Sequence, residues 1–102
     1  MVDVLTREEV KAGLADESIA LVDVREPHEF AAGHIPGSLS LPLSRFDPSK
    51  LPEDKRVVFV CRSGRRTLLA IEMSRRFGRG DASAHYAGSL LDWAGAGEPL
   101  EY

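Results

Sequence analysis

The stretch Arg56-Val57-Val58-Phe59-Val60-Cys61-Arg62-Ser63-Gly64-Arg65-Arg66-Thr67 decides how the rest of the chain is read. From Val57 to Cys61 no polar residue interrupts the apolar run, and a strand loses polar alternation when both faces of its sheet are covered, as in parallel α/β sheets. From Leu69 the period changes. Leu69, Met73 and Phe77 stand at i, i+4 and i+8, Glu72 and Arg76 form an i, i+4 ion pair beside them, and Gly78 and Gly80 end the run. This spacing predicts a helix that packs Leu69, Met73 and Phe77 on the sheet. A buried strand, a short basic loop and a helix together make half of a parallel crossover.

The same alternation runs outward in both directions. Val2–Leu5, Ala20–Val24, Ser38–Leu41, Val57–Cys61 and Ala82–Tyr86 are the strand candidates, separated by helix-like segments. Thr6 and Glu9 have the three-residue spacing of a capping box and start a helix that ends between Gly13 and Asp16. Pro27 suits the first turn of a second, brief helix that runs to about Ala32 and stops at Gly33. The three prolines between Pro42 and Lys55 mark a connection with a short helix around Ser44 to Phe46. Repeats, low-complexity tracts and interdomain linkers are absent from the sequence. The expectation is a single α/β domain over 1–102, with a central, mostly parallel five-stranded sheet flanked by helices on both faces.

Composition agrees with that. The chain has 102 residues, 43% of them hydrophobic, and a net charge of −3. A domain of this size can bury roughly two-thirds of its unfolded surface and fold without disulfide staples. Cys61 is the single cysteine, so no internal disulfide can form, and a lone thiol points to a reducing cytoplasm. Acidic residues stand near the N-terminus where a signal peptide would be basic, and no apolar run approaches the ~20 residues of a membrane span. Nothing in the sequence demands more than a monomer.

Charge is uneven along the chain. Between Cys61 and Gly80 six arginines face one glutamate, a local balance of +5, which leaves −8 elsewhere. An acidic whole with three lysines and no basic tail argues against nucleic acid as partner. The basic segment instead opens on the thiol. The carboxyl ends of parallel strands are where such sheets bind ligands. After Cys61, successive amides with Gly64 in a left-handed conformation can curl into an anion nest at a helix N-terminus. Arg62, Arg65 and Arg66 strengthen that field, and such surroundings lower a thiol pKa and expose a thiolate nucleophile. A buried structural cysteine is the plainer reading, but it gives no reason for three neighbouring arginines and a glycine.

Leu21-Val22-Asp23-Val24-Arg25-Glu26-Pro27-His28-Glu29-Phe30 followed by Gly33-His34-Ile35-Pro36-Gly37-Ser38 resembles the first signature of the rhodanese domain, a sulfurtransferase family. Cys61-Arg62-Ser63-Gly64-Arg65-Arg66 is similar to the family's active-site loop, and Gly88 to Trp93 lies where its Gly-Gly and Trp element would fall, with Ser89 in place of the second glycine. The resemblance covers nearly the whole chain. It implies that Cys61 takes the outer sulfur of thiosulfate or a related donor, holds it as a persulfide and passes it to cyanide, a thiol or a protein acceptor. On that reading the amides from Arg62 through Ser63, Gly64, Arg65, Arg66 and Thr67 cradle the persulfide, and the loop arginines attract the donor dianion. The alternative is a non-enzymatic sulfur or redox carrier serving one dedicated protein. Both readings use the same thiol, and the sulfurtransferase reading places it in a flat, exposed site. Phosphatases and arsenate reductases related to this fold resemble it less, because their loop has five residues between cysteine and arginine. Here Arg66 follows Cys61 with four between, and Thr67 stands where that arginine would be.

The remaining polar residues of these motifs read as support. Asp23 can accept bonds from loop amides or an arginine, and Arg25 and Glu29 are spaced to pair across one helical turn. His34, before Ile35-Pro36-Gly37, fits a turn-stabilising role better than that of a general base. Arg62 and Arg65 are expected to project to solvent, and Arg66 to brace the loop through backbone carbonyls or Asp23. His28 and His85 with one cysteine make no metal pattern, so neither metal nor other cofactor is expected. Trp93 is expected to anchor the last helix to the core.

Overall fold

The computed structural model describes residues 2–102. Five strands, β1 (Asp3–Leu5), β2 (Ile19–Asp23), β3 (Leu39–Ser40), β4 (Arg56–Val60) and β5 (Ala84–Tyr86), pair in the order β1-β5-β4-β2-β3, every pair parallel. All five strand expectations are met, with ends shifted by two residues at most. The helices are α1 (Arg7–Ala15), α2 (Pro27–Ala31), α3 (Arg66–Arg76) and α4 (Ser89–Gly95). Thr6 and Glu9 close the expected capping box on α1, and Pro27 opens α2. The connection from Pro42 to Lys55 holds two short 3-10 turns, Leu43–Arg45 and Pro48–Lys50.

Alternation along β4 divides the core. Val58 and Val60 point to one face, where Val10 of α1 and Leu90 and Trp93 of α4 pack with Leu21, Ile35 and Tyr86. Val57 and Phe59 point to the other, against Ala70 and Ile71 of α3 and Val22, Val24 and Leu51. The central strand is thus covered on both faces, which is why it carries no polar alternation. Trp93 is buried as expected: its indole packs edge-on against Tyr86 and its Nε1–H donates to Pro99 O at 2.7 Å.

The α3 stripe does not pack as the periodicity predicts. Leu69 is 53% and Phe77 58% exposed, and the sheet-facing residues are Thr67, Ala70, Ile71 and Ser74. These also follow the 3-4 spacing of one helix face. Three of the four are small, and small side chains let the helix axis approach the sheet closely, so the larger Leu69 and Phe77 lie on the opposite side. The Glu72 and Arg76 pair forms as expected, Nε to Oε2 at 2.9 Å.

Candidate active site

Strand order explains where the site lies. After β2 the chain moves outward to β3, and after β4 it moves the other way, to β5. The carboxyl ends of β2 and β4 therefore flank a topological switch point, where the loops leaving neighbouring strands diverge and open a crevice. Asp23 and Arg25 stand at the end of β2, and Cys61 stands at the end of β4.

Cys61 is 1% exposed, which corrects the expectation of a flat, exposed site. Its side chain joins the core cluster of Val24, Phe59 and Ala70, and the loop Arg62 to Arg65 folds over it. The Gly64 amide donates to Sγ at 3.1 Å. Burial pushes the thiol pKa up, but the backbone N–H groups of Thr67, Gly64, Ser63 and Arg66 together outweigh it and hold the thiol below its ordinary value. The expected nest therefore forms. Gly64 takes a φ of +88° and completes the curl.

What keeps those amides turned inward is the first turn of α4. Leu90 N donates to Cys61 O at 3.1 Å and Leu91 N to Arg62 O at 3.0 Å. In a trans peptide the carbonyl and the following N–H point opposite ways, so an Arg62 carbonyl bound to α4 sends the Ser63 N–H toward the sulfur. The otherwise unpaired amides at the start of α4 are satisfied by the same bonds. Ser89 adds a third tie: its Oγ accepts from Cys61 N at 3.1 Å and donates to Tyr86 O at 2.8 Å.

The three arginines divide into two kinds. Arg62 and Arg65 are exposed, and among the described residues their side chains form no hydrogen bond or ion pair. Arg66 instead forks onto Glu29, at 2.7 and 2.9 Å. The expected brace exists, but its partner is Glu29 and not Asp23 or a carbonyl. Arg25 does not reach Glu29. Lying at the end of β2 and 7% exposed, it turns inward, grips Asp23 through Nε and Nη2 and donates to Gly33 O at 2.8 Å. Asp23 also accepts the Arg25 amide at 2.9 Å, so its expected role as acceptor holds.

Thr67 is buried. Its hydroxyl donates to Gly64 O at 2.9 Å and lies 2.7 Å from His85 Nδ1. With its one proton committed to Gly64, the hydroxyl accepts from the imidazole. Burial disfavours the charged imidazole and lowers the His85 pKa. Ser63 is exposed and contributes its amide. His34 sits away from the thiol: it stacks on Phe30, its Nδ1 is 2.9 Å from Phe30 O, and its backbone pairs with Glu101. It supports its turn, as its sequence position suggests, and its backbone bonds to Glu101 add a link to the C-terminal residues that the sequence does not announce. Among the described residues no His, Cys, Asp and Glu side chains group as metal ligands, and no helix is long and apolar enough to cross a membrane.

Glu29 and Ser89 are the site residues that sequence reasoning missed as partners of the loop. Glu29 meets Arg66 across 37 positions, a separation no local spacing reports. For Ser89 a signal existed in its replacement of a family glycine.

The Glu29 and Arg66 pair carries a pH dependence. Hydrogen bonding from Arg66 lowers the Glu29 pKa from 4.5 to about 2, against an opposing push from burial. A carboxylate with a depressed folded pKa stabilises fully above its unfolded value and loses that contribution as pH falls through the folded one. The window is thus from about 4.5 down to about 2. Both side chains are partly exposed, so solvent screening limits the worth of the pair to ~1 kcal/mol. Glu29→Gln is expected to cost about that much in urea unfolding at pH 7 and to match the parent at the acid end of the window. An equal cost at both ends would show that the charge is not what stabilises.

The structure is thus a parallel α/β domain that holds a thiol at the end of its central strand, inside a ring of backbone amides that favour its thiolate. The chain belongs to the rhodanese-like domain family, whose model matches residues 6–96. It is 37% identical over 103 residues to a sulfurtransferase of Allochromatium vinosum, a match covering 98% of this chain and 95% of the relative. It is 34% identical over 102 residues to the thiosulfate:glutathione sulfurtransferase of Homo sapiens, covering 83% and 87%. An uncharacterised protein of Synechocystis is 45% identical over 85 residues, and there the chain spans 47% of the relative's length. Among solved structures, a human single-domain sulfurtransferase superposes with a TM-score of 0.76 at 31% identity, over 93% of this chain and 97% of that one.

Proposed function

We propose that this protein is a sulfurtransferase that moves a sulfane sulfur from thiosulfate, or a related donor, to a thiophilic acceptor through a persulfide on Cys61. The observation that carries the proposal is the convergence of the Ser63, Gly64, Arg66 and Thr67 amides on a thiol whose pKa is lowered. The Cys61 thiolate attacks the outer sulfur of thiosulfate, a new S–S bond forms, and the old one breaks with its electron pair leaving on sulfite. The outer persulfide sulfur then carries the negative charge, and the inward amides are its hydrogen-bond donors. An acceptor thiolate or cyanide attacks that sulfur and returns Cys61 as thiolate. No proton moves in either step.

The free cations Arg62 and Arg65 at the rim draw in the dianionic donor, whereas Arg66, neutralised by Glu29, holds the loop in shape. An open groove beside the loop, lined by Arg25, Arg62, Leu90, Leu91 and Leu100 among others, gives an acceptor a place to approach. The thiosulfate assignment is supported by the human relative, named for that donor.

Intact-mass spectrometry after thiosulfate treatment tests the proposal. A gain of one sulfur atom, absent in Cys61→Ser, is the expected result, and no gain from any sulfane donor would overturn it. Turnover with thiosulfate and cyanide then separates an enzyme from a carrier, which would load one sulfur and release it only to a protein.

A further inference from the structure

Ser89 is fully buried and has a φ of +53°. Among the described residues the other non-glycine at positive φ, Glu17, lies in an exposed turn. An L-residue in the left-handed region costs on the order of 1 kcal/mol, and glycine would avoid that cost. The serine side chain has a definite occupation there. Strand β5 pairs with β4 only as far as Phe59, so no strand carbonyl meets the Cys61 amide, and the Ser89 hydroxyl is its acceptor at 3.1 Å. The hydroxyl proton goes to Tyr86 O at 2.8 Å, which orients the oxygen lone pairs toward Cys61. Both partners are backbone groups at the ends of central strands.

We propose that the Ser89 hydroxyl is a positioning group for the Cys61 thiolate, fixing the peptide from which the thiol projects so that Sγ stays at the centre of the amide ring. The Cys61 N–H points out to Ser89, while the amides of Ser63, Gly64, Arg66 and Thr67 point in. Val60 O, on the same peptide, accepts from Val24 N at 3.0 Å, so without the Ser89 bond that peptide is held from one side only and tilts about it, which moves Sγ off the point where four donors converge. This inference rests on Cys61 being the sulfur-carrying thiol. Its test needs no sulfur donor, so it stays separate from the test of sulfur transfer.

Ser89→Gly and Ser89→Ala separate the hydroxyl from the backbone. Both delete the oxygen, and only glycine relieves the positive φ. If Ser89 merely fills the turn, Ser89→Gly should equal the parent in every respect. If the hydroxyl positions the thiol, both variants alkylate more slowly with iodoacetamide. The expected loss at pH 7 is at least about threefold, the equivalent of half a pKa unit, and the pH profile of alkylation moves to higher pH. Ser89→Gly should melt no lower than Ser89→Ala, so reactivity and stability part company. A parent-like alkylation rate and pH profile in Ser89→Gly would overturn the proposal. Should Ser89→Ala fail to fold, the glycine variant decides. A measurement on the unaltered protein decides without either variant: the Cys61 amide proton should exchange slowly with solvent, and fast exchange would equally overturn the proposal.

Discussion

Replacing Cys61 with alanine is expected to reduce sulfur uptake from thiosulfate to background, a loss of at least about 10⁴-fold, because no other group in the crevice can form the covalent intermediate. The lowered pKa gives this variant a second signature, in stability. A thiol whose folded pKa lies below its ordinary value near 9 stabilises the fold as pH rises from the folded value toward 9, and contributes nothing extra below that window. The stability gap between the parent and Cys61→Ala should therefore widen with pH across this range. At its acid end the gap should be only the ~1 kcal/mol of one buried sulfur lost from the core cluster. Urea unfolding at several pH values reads the gap, and mass spectrometry reads the uptake. Retained uptake would remove Cys61 from the chemistry, and a gap independent of pH would show that the amide ring does not favour the thiolate.

The features legible in the sequence were those written in consecutive residues. The buried run from Val57 to Val60, the capping box of Thr6 and Glu9, and Pro27 at the head of α2 all act within one strand or one helical turn, and all are in place. The thiol loop was legible for the same reason. Side chains whose partners lie far along the chain were not. Glu29 looked like a partner for Arg25, four residues away, because spacing says nothing of a helix α3 that brings Arg66 across the crevice. Hydrophobicity also misplaced the buried face of α3, since apolar character marks what can be buried and not what fits. The sheet accepts Ala70 and Ser74 at close approach and leaves Phe77 in solvent. That the thiol is buried and yet favoured as thiolate was hidden as well, because the sequence offered burial only as the alternative to reactivity. The burial follows from packing against Val24 of the neighbouring strand's loop and Ala70 of α3, contacts that the residues of the loop do not announce.

Gly64→Ala is expected to damage the site through geometry alone, with the thiol still in place. Two demands meet at this residue. Its φ of +88° is one that side-chain-bearing residues seldom adopt. A Cβ there would also stand 2.4 Å from Ala87 O, a backbone atom of the corner between β5 and α4 that cannot swing aside like a side chain. Gly78 separates the two effects. It has a φ of +95°, but a Cβ would meet nothing within 4 Å. Gly78→Ala should then cost only the backbone penalty, ~1 kcal/mol. Gly64→Ala should cost at least about twice as much, since relief of the overlap requires the loop to move off the corner. Such a movement breaks the Gly64 N–H contact with Sγ and loosens the Leu90 and Leu91 bonds to Cys61 and Arg62. Sulfur transfer should fall by on the order of 10²-fold or more, comparable to the loss of an oxyanion donor. It should fall with little change in far-ultraviolet circular dichroism, because the distortion is confined to the loop and its corner. Equal stability losses at Gly64 and Gly78 would mean that the loop is not clamped to the corner and that its amides are held inward by something else.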